Sequence, residues 1–162
     1  TQGVSSAASD VYKRQGDHVA RPLQRELRNI MWENCGVVRD EHKLIEGLKK
    51  VEGLKESAKS LDVRPDSEGY EDLMLAFDLE GAIMSAEATI LGAKARKESR
   101  GSHQRSDYSE TSKEHELNYV IKLDENKQLK IESEELSPIT DELKSLIEST
   151  EEINDFEGML LE

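Results

Sequence analysis

Ile90-Leu-Gly-Ala-Lys-Ala-Arg-Lys-Glu-Ser-Arg-Gly-Ser-His-Gln-Arg-Ser-Asp-Tyr108 is the stretch on which the fold turns. Up to Ala95 it is made of good helix formers with few β-branched side chains, which predicts a helix. Lys94, Arg96 and Lys97 fall in its last predicted turn, where cations favour the negative end of the helix dipole. Gly101 stands where a C′ glycine lets the backbone turn left-handed and stop. Around that stop lie Glu98, Ser99, Arg100, His103, Gln104, Arg105 and Asp107. So dense a set of forked donors and acceptors exceeds what solubility requires. The loop is expected to be fastened to another surface.

Upstream, the helix predicted over about Tyr70 to Glu98 takes its buried side from Leu73, Ala76, Phe77, Ile83, Met84, Ile90 and Leu91. Its glycines and alanines let other backbones approach, so contact on more than one side is expected. Before it, Leu44, Leu48, Val51, Leu54, Ala58 and Leu61 recur at helical spacing and predict a second helix from about Glu41 to Leu61. The loop from Asp62 to Gly69 separates the two. A first helix is predicted from Arg21, with Pro22 at its first position, Leu23, Leu27, Ile30 and Met31 on one face, and Asn34-Cys-Gly36 as its end. Trp32 is expected as a core anchor. Arg39, just after that end, can clamp a carboxylate on a neighbouring element.

Downstream the period changes. Leu117, Tyr119, Ile121 and Leu123 alternate with Asn118, Val120 and Lys122, Asp124 to Lys127 is turn-like, and Leu129 to Ile131 alternates again, which predicts a β-hairpin within 115–131. A lone hairpin is barely stable in water, so it must lie on something larger. Pro138 stands near the start of a short amphipathic helix with Ile139, Leu143, Leu146 and Ile147 on one face. Phe156 and Met159 to Leu161 are unmatched apolar residues, expected to dock. The predicted fold is mainly α: an antiparallel three-helix bundle followed by a β-hairpin and a short C-terminal helix or tail. Its parts are a non-native or disordered leader (1–17), the bundle (18–100), a polar docking loop (101–113) and an acidic extension (114–162).

Composition limits the function. The chain has 162 residues and a net charge of −13, with 35% hydrophobic and 35% charged residues. The acidity is concentrated at the end: residues 114–162 hold 15 acidic against 4 basic side chains. That argues against nucleic acid or an anionic membrane as a partner. One cysteine, Cys35, excludes an intramolecular disulfide and fits a reducing compartment. No apolar run approaches a membrane span, and no signal-peptide pattern is present. The string Ser5 to Gln15 resembles translated sequencing-adapter read-through, on which reading the natural chain begins upstream.

There is no glycine-rich dinucleotide fingerprint and no P-loop. The four histidines and Cys35 are too scattered for a zinc site. The bland reading of the Arg100–Asp107 cluster is a salt-bridge network tying the loop to a neighbouring domain. The sharper one is an anion or acid–base site. The first is the better supported. The expected docking set is Arg39, Glu98, Arg100, His103, Arg105 and Asp107, with no catalytic, cofactor-binding or metal residue.

Arg96 to Tyr108 also resembles the R-x-E-S-R-G-x-H-x-R-x-D-[FY]-P motif of succinate dehydrogenase and fumarate reductase flavoprotein subunits, of which L-aspartate oxidase is a relative. Leu23-Gln24, Met31-Trp32 and Gly36-Val37-Val38-Arg39 are similar to the first bundle helix of their C-terminal domain. Ser109 departs from the family's proline, and the charged positions are intact. The resemblance implies a parent oxidoreductase that interconverts succinate and fumarate by hydride transfer at FAD. It implies partnership with the FAD-binding domain of the same chain and with an iron–sulfur subunit. It further implies a cytoplasmic place at the inner face of a membrane, without direct insertion. The family's substrate and flavin residues have no counterparts here, so the fragment alone is expected to be inactive and to bind no cofactor. The Met31-Trp32 pair leans toward L-aspartate oxidase, and the hairpin and tail lean toward the other two. A freestanding helical interaction module is the alternative from a different class. A nucleic-acid binder using Lys94 to Arg105 is opposed by the acidic segment that follows.

Overall fold

The computed structural model describes residues 16–64, 70–126 and 128–151. Helix α1 (Ala20–Asn34) leads through a two-residue strand β1 (Val38–Arg39) into α2 (Glu41–Ala58). Helix α3 (Glu71–Ala95) follows, then β2 (Gln104–Arg105), a 3-10 turn (Lys113–His115), β3 (Leu117–Leu123), β4 (Leu129–Glu135) and α4 (Asp141–Glu151). The result is mainly helical, with one antiparallel hairpin.

Each bundle helix buries one stripe. In α1 it is Ala20, Leu23, Leu27, Ile30 and Asn34, and in α2 Leu44, Gly47, Val51 and Leu54. In α3 the stripe is Ala76, Leu79, Ile83, Ala86, Ile90 and Ala93. The alternating steps of three and four residues keep these side chains in line on a helix of 3.6 residues per turn. Burying a Leu or Ile fully contributes about 1.5–3 kcal/mol. Leu44 of α2 and Leu79 and Ile90 of α3 are wholly buried.

Helix directions follow from the ends. The His18 N–H donates to the Ser60 carbonyl at 3.0 Å and the Asp62 N–H to the His18 carbonyl at 2.7 Å, which ties the start of α1 to the end of α2. The end of α3 lies beside the start of α2, where the Arg105 side chain touches both. Each helix therefore runs antiparallel to its neighbour in sequence.

Several expectations are corrected. Trp32 is no core anchor: it is 82% exposed. It stands two residues beyond Ile30, about 200° round the helix axis from the buried stripe. Helix α3 ends at Ala95 rather than Glu98, and Phe77 and Met84 are each 39% exposed. Since α3 is apolar on most of its circumference, periodicity could not choose its inward face. Pro22 is the third residue of α1, and α2 stops three residues before Leu61, which is buried nevertheless.

Helix α3 is indeed contacted from more than one side, by α1 and α2 and also by the hairpin. Ile121 of β3 sits over Gly92, where a Cβ would lie 3.5 Å from Ile121 Cδ1. The hairpin runs in full register from Leu117 opposite Glu135 to Leu123 opposite Leu129. Asp124 closes its turn by accepting the Asn126 and Gln128 N–H groups. Helix α4 begins after Thr140, whose hydroxyl accepts the Leu143 N–H, and Ile139, Leu143, Leu146 and Ile147 are about half exposed. Phe156 and Met159 to Leu161, expected to dock, lie outside the described residues.

Gly47 marks the closest approach of the three helices. A Cβ there would meet Asn34 Cβ at 2.9 Å and Ile90 Cδ1 at 3.3 Å, whereas one at Gly53 would meet nothing. Gly47→Ala is expected to lower stability by about 1–2 kcal/mol, since overpacking outweighs the gain in helix propensity. Gly53→Ala should raise it by about 0.5–1 kcal/mol. Urea midpoints of the two variants check both signs.

Candidate functional site

The loop from Arg96 to Ser112 closes over the end of the bundle and is built around two buried charges. Arg105 is 1% exposed. Its Nε and Nη2 donate to the two carboxylate oxygens of Asp107, each at 2.7 Å, as a bidentate fork. Nη2 also reaches Glu41 Oε2 at 3.1 Å, and Nη1 donates to the Ala93 and Lys94 carbonyls at 3.1 and 3.4 Å. The Tyr108 ring covers the guanidinium at 4.9 Å, a cation–π contact. Asp107 Oδ2 in turn accepts the Glu41 N–H at 2.9 Å. A cation thus satisfies the open carbonyls at the C-terminus of α3 while an anion satisfies an open N–H at the N-terminus of α2. Both signs match the helix dipoles.

Glu98, the second centre, is wholly buried. It accepts from the Arg96 and Arg100 guanidinium groups and from the Ser112 N–H at 2.9 Å. Burial alone would raise its carboxyl. The donors from Arg100, the Ser112 N–H and Arg96 outweigh that and hold it down at about 2. Arg96 also donates to the His115 and Leu117 carbonyls, each at 2.8 Å, and lies over the Tyr119 ring. The hairpin is thereby fixed to the end of α3. Asp107 is likewise held down at about 2, chiefly by Arg105, against the effect of burial.

Ser99 joins the two centres. Its hydroxyl accepts the Arg105 N–H at 2.8 Å and donates to the Tyr108 carbonyl at 2.8 Å. His103 bridges the loop to Arg39. An arginine can only donate, so Arg39 Nη1 at 2.7 Å fixes His103 Nδ1 as an acceptor, and Nε2–H donates to the Arg96 carbonyl at 3.0 Å. The imidazole is therefore neutral. Burial lowers its pKa, and the nearby charges of Arg39, Arg105 and Arg96 act in the same direction. Parallel pairing of β1 with β2 completes the seam, with Val38 opposite Gln104 and Arg39 opposite Arg105.

All six expected residues, Arg39, Glu98, Arg100, His103, Arg105 and Asp107, are therefore brought together. Glu98 and Arg105, two of the expected docking set, turn inward in the structure. At 0% and 1% exposure they have their partners within this chain. Gly101 does adopt a positive φ of 57°, but it does not stop the helix. It turns the tight loop in which Arg100 and His103 exchange backbone hydrogen bonds at 2.9 and 3.0 Å. Arg96, at the C-cap of α3, is already extended. Glu41, Arg96, Ser99 and Ser112 are missing from the expected set. Arg96 was hidden by its reading as a last-turn cation, and Glu41 carried no signal, since its partner is 64 residues away in sequence.

Chemically the cluster is saturated. Among the described residues no buried side-chain polar atom lacks a partner, and no group of three His, Cys, Asp or Glu could hold a metal ion. Burial pushes the Cys35 thiol up, with Arg39 opposing, so it does not present a ready thiolate. The arrangement fastens and positions.

Known proteins share this architecture. Over 121 residues the chain is 30% identical to an uncharacterized FAD-dependent oxidoreductase of Methanocaldococcus jannaschii, a match that covers 75% of the chain and 22% of that protein. It is 30% identical over 125 residues to the fumarate reductase flavoprotein subunit of Haemophilus influenzae, covering 72% of the chain and 20% of the subunit. The fold superposes on quinol fumarate reductase of E. coli with a TM-score of 0.77 at 24% identity, over 83% of this chain and 24% of that one. The chain thus spans about a fifth of the length of the curated relatives it matches.

Two predictions follow from the buried charges. Arg105→Ala should cost about 3–5 kcal/mol, because it strands Asp107 and two helix carbonyls. Arg105→Lys should recover little of that, since an ammonium cannot supply the fork. Denaturant titration reads both.

The second concerns pH. The folded His103 has a depressed pKa, so the unfolded chain takes up a proton first and stability declines as pH falls below about 6.5. The stabilisation from Glu98 and Asp107 is present above their ordinary values of 4.5 and 3.8 and is lost as pH falls toward about 2. A urea-midpoint series over pH should show both declines, and His103→Gln should reduce the upper one alone.

The model of the fumarate reductase flavoprotein C-terminal family matches residues 24–150, and with the clasp folded from the motif residues themselves, the chain belongs to that family.

Proposed function

We propose that the chain is the C-terminal docking and stabilising domain of an FAD-dependent succinate dehydrogenase or fumarate reductase flavoprotein subunit. The observation that supports it is the clasp. Every charged position of the Arg96–Asp107 motif, apart from Lys97, holds a contact that depends on its residue type, from the Arg105 fork to the buried Glu98. In this reading the parent interconverts succinate and fumarate at its flavin. It hands electrons to or from an iron–sulfur subunit and lies peripherally at the inner face of a membrane. Among the described residues no helix is long and apolar enough to cross one.

The residues here do not fit FAD. A dinucleotide pyrophosphate needs a glycine-rich turn between a strand and a helix. Among the described residues, α1 follows Val19 and α2 follows Asp40 with no such turn, and the sequence holds no glycine-rich fingerprint. The flavin is therefore assigned to another part of the parent, and no chemical step is assigned to this domain. Its contribution is mechanical: a rigid bundle whose loop and hairpin are locked in one geometry against the flavin-bearing body.

The test is the purified whole polypeptide that carries this domain. It should show a flavin absorbance that succinate bleaches anaerobically, while residues 16–162 expressed alone should bind no flavin. Bleaching by aspartate instead would assign the parent to L-aspartate oxidase. Tight FAD binding by residues 16–162 would overturn the docking-domain reading.

A further inference from the structure

Two open grooves lie end to end along α3 and share Thr89. The first has walls from Met31 and Trp32 of α1 and a floor of Ala82 and Ala86. The second crosses Gly92 between Arg39 and Tyr119. Val37 and Val38, 62% and 60% exposed, connect Gly36 of the first to Arg39 of the second. Trp32, at 82% exposure, and the two valines put large apolar side chains in water at and next to the first groove, as interaction sites do. Trp is also the residue type most enriched at the energetic centre of interfaces.

The charge on this trough is one-sided. The chain carries −13 overall, yet the ionised side chains lining the two grooves are Arg28, Arg39 and Arg96, and no Asp or Glu lines either. Arg96 is neutralised by Glu98. Arg39 is not. It donates to the Gly36 carbonyl at 2.6 Å and to neutral His103, and among the described residues no carboxylate pairs with it. A half-buried guanidinium left with neutral acceptors is suited to take a carboxylate from outside, bidentately.

We propose that the trough seats an apolar, carboxylate-bearing segment of the flavin-carrying part of the same polypeptide. Its Asp or Glu pairs with Arg39, and its apolar side chains lie between Trp32 and the small residues of α3. The proposal rests on the function proposed above and names the surface through which that docking occurs. The competing occupant is the chain's own acidic, amphipathic α4, whose Leu143 and Ile147 are half exposed.

The experiment places a photo-crosslinker in the trough of the whole polypeptide, as Trp32→p-benzoylphenylalanine, and identifies the captured peptide by mass spectrometry. A peptide from the flavin-carrying part that contains Asp or Glu is the expected result. Capture of residues 136–162, of a second copy, of an iron–sulfur subunit, or of no peptide overturns the proposal. A charge swap supplies an independent arm. Arg39→Glu should raise amide exchange of the Ala82–Thr89 segment about tenfold, the equivalent of 1.4 kcal/mol. Exchanging the captured carboxylate for Lys in the same protein should reverse the rise. Equal exchange in the single and double variants would overturn the pairing. Flavin absorbance is recorded on every sample: a preparation that folds without flavin defeats the functional reading, while one that holds flavin but captures the wrong peptide defeats this inference alone.

Discussion

The buried guanidinium of Arg105 sets the geometry of the domain. One side chain reaches the last carbonyls of α3, the acidic first residue of α2 and the carboxylate of Asp107, which itself holds the first N–H of α2. Two antiparallel helix ends of opposite polarity are joined by an ion pair whose own polarity is matched to them. A charge removed from water needs compensation from every side, and here carbonyls, carboxylates and an aromatic face all supply it. Without the fork the loop would keep the β1–β2 pairing and the Glu98 centre but lose its tie to the two helix ends.

The rest of the clasp follows from that placement. With Arg105 seated, Ser99 is drawn beneath the loop and Glu98 is enclosed, and an enclosed carboxylate must gather donors. It finds them in Arg96, Arg100 and the Ser112 backbone, and Arg96 extends the network to the first carbonyls of the hairpin. A polar seam therefore does what a larger apolar core does elsewhere: it gives a chain with 35% hydrophobic residues one defined arrangement of helices and hairpin. The hairpin could not stand alone, and it is held by packing of Ile121 over Gly92 and by the Arg96 donors.

Such a design suits a part that positions other parts. Among the described residues the seam has no unsatisfied buried polar atom. The surface beside it is different in kind. Trp32, Val37 and Val38 face water next to an Arg39 that has only neutral partners. The buried charges are paired within the domain while Arg39 is left with neutral acceptors, and that difference separates what holds the domain from what the domain can hold.

The three helices, the end of the first at Asn34-Cys-Gly36, the hairpin and the importance of the Arg96–Asp107 loop were legible in the residues, because periodicity and local stop signals act over a few positions. The inward face of α3 was not, since an apolar circumference carries no preferred phase. Trp32 was misplaced because residue type outvoted its angle on the helix. Most of all, the partner of Arg105 could not be read: Glu41 is 64 residues away, and the distance closes only once α2 and α3 lie side by side. Sequence determined which elements form and which side chains are too charged to be idle. Tertiary packing decided which of those charges are buried and paired within the domain, because desolvation, the force that makes such pairing compulsory, exists only after the chain has folded.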